Sequence, residues 1–72
     1  MRREEITQKV KVLIPHWISH NEEHAGEYRK WAERLEAEGL VDTAERLRQA
    51  ADLVVASNRH FQEAQTKLED VV

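Results

Sequence analysis

Leu35-Glu36-Ala37-Glu38-Gly39-Leu40-Val41-Asp42-Thr43-Ala44-Glu45 is the stretch that decides the fold. Gly39 can take the left-handed backbone conformation that ends a helix, and Leu40 can then fold back on Leu35. Asp42, followed three residues later by Glu45, reads as a cap with its reciprocal acid at the start of a new helix. A stop and a start this close leave only a short turn, and helices joined by a short turn are antiparallel neighbours. The composition agrees: two glycines, one proline and 35% charged residues in 72 belong to long solvated helices rather than to sheets.

Working outward from the turn, Leu40, Ala44, Leu47, Ala51, Val54, Asn58, Phe61, Gln65, Leu68 and Val72 alternate four and three apart without a slip, which is a heptad seam. On the other side Val10, Ile14, Trp17, Asn21, His24, Tyr28, Trp31 and Leu35 keep the same alternation. That assignment puts every aromatic residue except Phe61 on one stripe of the first helix. Folding about the turn matches Leu35 with Ala44, Trp31 with Leu47, Tyr28 with Ala51, His24 with Val54, Asn21 with Asn58, Trp17 with Phe61, Ile14 with Gln65 and Val10 with Leu68. The expected helices run from Glu4 to Glu38 and from Asp42 to Asp70. Pro15 removes a backbone hydrogen bond and crowds the carbonyl of Lys11, and Lys9-Val10-Lys11-Val12 alternates like a strand. Because Val10 and Ile14 stay in phase with Trp17, a helix kinked near Pro15 is preferred to a strand ending there.

The expectation is therefore an all-α protein, a single domain over residues 1–72, folded as an antiparallel two-helix hairpin. A chain this small buries only roughly 60% of its unfolded surface. The second stripe Ala50, Leu53, Ala64 and Val71, with Ile18, Ala25 and Ala32 on the opposite flank, would be left uncovered, so dimerisation into a four-helix bundle is expected. Without cysteine there are no disulfides, zinc ribbons or iron-sulfur clusters. The longest apolar runs, Val12-Leu13-Ile14 and Leu53-Val54-Val55-Ala56, are too short for a signal peptide or a membrane span, which suggests a cytoplasmic protein with no membrane partner. The formal charge is −3 and the basic residues are interleaved with acidic ones, so nucleic acid is not an expected partner.

Three of the four histidines lie on two turns, in His16-Trp17-Ile18-Ser19-His20-Asn21-Glu22-Glu23-His24. Imidazole is the commonest protein metal ligand, and histidines at i and i+4 can share one ion, with a carboxylate one turn on completing the shell. His16, His20, Glu23, His24 and Glu27 span roughly a 100° arc beside the seam. The stripe of Ala50, Leu53, Ser57, His60 and Ala64 should lie on the same side of the hairpin, bringing His60 to the other three. The expected metal ligands are thus His16, His20, Glu23, His24 and His60. Neither His24 nor His60 has a glutamate three residues before it, so a di-iron carboxylate site is disfavoured and a nitrogen-rich site for nickel, zinc or cobalt is favoured.

The competing reading is that His24 packs in the seam while His16, His20, Glu23 and Glu27 form a solvated face; a histidine switch of assembly is a third. Asn21 and Asn58 read as a facing amide pair that fixes register. Trp17, Tyr28, Trp31 and Phe61 read as core. No phosphate loop, nucleophile elbow or catalytic triad pattern is present, and catalysis is the least supported class.

The segment His16 to Ala25, followed by Tyr28-Arg29-Lys30-Trp31-Ala32, resembles a little-characterised family of short histidine-bearing helical-hairpin proteins of anaerobic prokaryotes. Its pattern runs His-Trp-x-x-His-Asn-x-Glu-His-Ala, then an aromatic and Trp-Ala, and the likeness covers about residues 12 to 70. Similar segments stand alone or beside a module related to nickel-insertion accessory proteins, so the resemblance implies nickel handling, with a metalloenzyme or metal-insertion partner. His16, His20, Glu23 and His24 match the pattern, whereas Pro15 replaces a helix-compatible residue. The functional expectation is a small metal-binding accessory protein; the alternative is a non-catalytic oligomerisation or partner-binding module.

Overall fold

The structure is a computed structural model that describes residues 2–70; Val71 and Val72, which the sequence assigned to the two apolar stripes, lie outside the described residues. Two helices make up the fold, α1 over Arg3–Ala37 and α2 over Val41–Glu69, packed along their lengths as an antiparallel hairpin. Each boundary falls one residue before its expected place. α1 continues through Pro15. The proline ring is exposed and α1 runs past it on the solvent side, where water can satisfy the carbonyl of Lys11 that the missing N–H leaves free.

Gly39, at φ 81°, takes the left-handed conformation. Its N–H donates to the carbonyl of Glu36 (2.9 Å), and that of Leu40 reaches back to Leu35 (2.9 Å), closing the Schellman pair that satisfies the last carbonyls of α1. The expected capping box does not form. Leu40 occupies the cap position of α2 without a side-chain hydrogen bond, because α2 begins at Val41 and draws Asp42 into its first turn. There the carboxylate still favours the positive end of the helix dipole.

The buried residues of α2 are Ala44, Ala51 and Asn58, with Leu47, Val54, Phe61, Gln65 and Leu68 half-buried, which is the seam that periodicity assigned; among its described residues only Leu40 is exposed. On α1 the seam is different. Ile14, Ala25 and Ala32 are buried, and Ile18, Asn21, Tyr28 and Leu35 half-buried, whereas Trp17, His24 and Trp31 are exposed. The expectation that Trp17, His24 and Trp31 line the seam, with Ile18, Ala25 and Ala32 on an uncovered flank, is corrected at those three levels. Ala25 and Ala32 on α1, like Ala44 and Ala51 on α2, are 0% exposed. Alanines on both facing stripes let the backbones approach closely, and an indole does not fit between them.

Register is fixed where Asn21 Nδ2 donates to Asn58 Oδ1 (2.9 Å) and Asn58 Nδ2 to the carbonyl of Ile18 (3.3 Å). Asn58 is buried, and no buried side-chain polar atom among the described residues lacks a partner. The amides thus meet as the sequence indicated. Trp17 and Phe61 also meet as paired, with ring centroids 5.8 Å apart, but on the flank of the interface rather than inside it.

The hairpin is a rod of 53 × 15 × 15 Å with a radius of gyration of 16.5 Å. A globular chain of this length would have a radius near roughly 11 Å. Ile14 is the largest fully buried side chain, so one layer of small residues, not a three-dimensional core, holds the helices together.

Candidate functional site

The rotation of α1 gives it a second face. Leu13, Trp17, His20, His24, Glu27 and Trp31 also alternate four and three apart, and all six are exposed. Trp17 and Leu13 are 39% accessible and Trp31 50%, uncommonly high for an indole-bearing stripe on a thin hairpin. The sequence carried this signal: Ile18, Ala25 and Ala32 complete a heptad as regular as the aromatic one, so α1 has two seams and α2 can take only one.

On this face the histidines form a continuous run of rings. His16 and His20 have centroids 4.3 Å apart, His20 and His24 5.8 Å, and His24 stacks on Tyr28 at 6.1 Å. The helix produces the run by itself, since residues four apart rise on one side with their side chains one above the other. An open groove of about 480 Å³ is lined by Trp17, His20, Asn21, His24 and Phe61. At the turn end of the face, the Arg34 guanidinium sits 4.9 Å from the centroid of Trp31, over a second groove of about 540 Å³ that includes Glu27 and Lys30.

His60 does not join the run. Two residues beyond the buried Asn58, it is turned about 160° from the interface, on the outer surface of α2. Phe61, not His60, is the α2 side chain that reaches His20 and His24. His16, two residues from both Ile14 and Ile18, is the member of the run farthest around α1 from the interface. Glu23, one turn beyond His20, is exposed on that outer side. Among the described residues no three His, Asp or Glu side chains converge where they could hold an ion. The expected five-residue set of His16, His20, Glu23, His24 and His60 is therefore not assembled within one hairpin; what one hairpin offers is adjacent pairs of imidazoles. No described helix is long and apolar enough to cross a membrane.

A family model described as a domain of unknown function matches residues 10–68, a span holding both helices, the amide pair and the histidine run. The chain belongs to the DUF8180 family. No curated protein and no solved structure matches it. Membership in DUF8180 makes the hairpin the family's domain and leaves its chemistry to be argued from the side chains.

Proposed function

We propose that this DUF8180 hairpin is a small accessory protein that binds a divalent metal ion, nickel, zinc or cobalt, through an adjacent pair of imidazoles, His16 with His20 or His20 with His24. The observation that carries this reading is the 4.3 Å spacing of the His16 and His20 rings on a continuous helix. Rings one turn apart can turn a nitrogen each toward one ion without moving the backbone, and a nitrogen-only pair suits borderline metals better than calcium or magnesium. His20 belongs to both adjacent pairs and is the central ligand. Glu23 and Glu27 lie within a turn and supply carboxylates that water can replace.

Two ligands leave most of the coordination shell open. An ion held this way is exchangeable, which fits delivery to a metalloenzyme or a metal-insertion partner better than a resident catalytic centre. Calorimetric titration with nickel and zinc tests the reading. Saturable binding is expected, abolished in His20→Ala, weakened in His16→Ala and retained in His60→Ala. No heat and no change in melting temperature at tenfold metal excess would sink it.

A second reading, docking of another helix without metal, is favoured by the exposure of Trp17 and Trp31, since large exposed apolar stripes mark interaction surfaces. It expects a stable partner complex indifferent to chelators.

A further inference from the structure

We infer that the occupant of the exposed face is a second copy of this chain, stacked on it about a two-fold axis, and that His20 and His24 of both copies then surround one metal ion. The inference rests on the metal-binding reading for the ion and on independent observations for the dimer.

The first observation is surface. The accessible area is 5734 Å². A compact folded chain of this mass exposes about 4,700 Å². The excess, on the order of 1,000 Å², matches the roughly 800 Å² that each partner buries in an ordinary specific interface.

The second is that the face is complementary to itself. A two-fold axis crossing α1 midway between His20 and His24 sets His20 against His24 of the second copy, Leu13 against Trp31, apolar on apolar, and the Trp17 ring edge against Glu27. On α2 the small residues Ala50, Ser57 and Ala64 are spaced seven apart, so they are symmetric about Ser57. These two centres were derived from different helices, yet they fall at one level: Asn21 Nδ2, between His20 and His24 in sequence, donates to Ser57 Oγ at 3.3 Å. One axis therefore satisfies both stripes. Stripes turned to the same side of the hairpin by a common level are what a second hairpin needs to complete a four-helix bundle.

The third is the incomplete site. One hairpin gathers no three ligands, whereas the axis brings two His20/His24 pairs to a common centre, four imidazoles in a setting walled by Trp17 and Phe61. Closed symmetry also covers the exposed Trp31 with Leu13 of the second copy.

The test uses the full chain with zinc or nickel as the probe. Light scattering should show a dimer, native mass spectrometry one ion per two chains, and His20→Ala and His24→Ala should each lose the ion while circular dichroism stays helical. Ser57→Cys should cross-link to itself under mild oxidation at least tenfold faster than Gln62→Cys on the opposite side. A monomer that binds one ion per chain overturns the shared site and leaves the metal-binding reading standing. A dimer that cross-links at position 57 but takes no metal overturns that reading and with it the four-histidine site, leaving the axis. A dimer that fails to cross-link at position 57 overturns the axis.

Discussion

The same heptad rule assigns α2 almost residue by residue, while on α1 it fails at three of eight positions, Trp17, His24 and Trp31. On α2 the seam is marked on one side by charge: Asp52 and Arg59, which follow Ala51 and Asn58, do not compete for burial. On α1 each of the failed levels offers two candidates side by side, Trp17 or Ile18, His24 or Ala25, Trp31 or Ala32. The larger residue gains more by leaving water. At the last two levels the smaller one wins, because the buried Ala44 and Ala51 on the adjoining turns of α2 hold the helices at a separation that leaves no room for an imidazole or indole against Val54 or Leu47. Seam choice on one helix is thus decided by the partner helix, a fact no periodicity of α1 alone contains.

The comparison makes Ile14 the position of greatest consequence. It is the one large side chain that the α1 seam buries completely, at 1% exposure, in a molecule with no deeper core. Ile14→Ala should cost about 2–5 kcal/mol. For a single-layer hairpin that is most of the folding free energy, and urea titration followed by circular dichroism should show the midpoint collapse. If Trp17→Ala costs as much in the same dilute sample, the aromatic stripe is the true seam and the comparison between helices fails.

The adjacent residues Ala25 and His24 sharpen the same point. Ala25 is fully buried and His24 exposed, although the heptad that included Trp17 put His24 inside. Ala25→Leu should therefore destabilise by about 1–3 kcal/mol through overpacking. His24→Ala should change stability by no more than about 0.5 kcal/mol in metal-free protein. Thermal melts of the two variants check the assignment, and the opposite ranking would restore the sequence-derived seam.

Much of the fold was legible because its signals were local. Gly39 marked the turn, the heptads marked two helices, and the amide pair and the pairing of Trp17 with Phe61 followed from counting back from that turn. The capping box at Asp42 and Glu45 was misread because a cap is one residue wide and the helix began one residue early. The site was legible only where the helix itself builds it: His16, His20 and His24 had to rise along one side with their rings adjacent, whatever α2 did. Placing His60 needed the facing of α2 to better than half a turn.

Asn21 and Asn58 are where the two helices were read equally well, and they carry the smallest expected effect. The pair is satisfied by the 2.9 Å bond between the amides, and by the bonds to Ser57 and the carbonyl of Ile18. A satisfied buried amide pair returns little net stability, since folding only exchanges its bonds to water. Replacing both by leucine should thus raise stability by on the order of 1 kcal/mol. What is lost is discrimination: a slip of the helices leaves two amides unpaired in the native sequence and costs an all-leucine seam almost nothing. The double variant should accordingly melt higher while its amide proton spectrum broadens or doubles from mixed registers. If it melts lower and gives one sharp set of resonances, the amides stabilise the hairpin outright and register comes from the alanines alone.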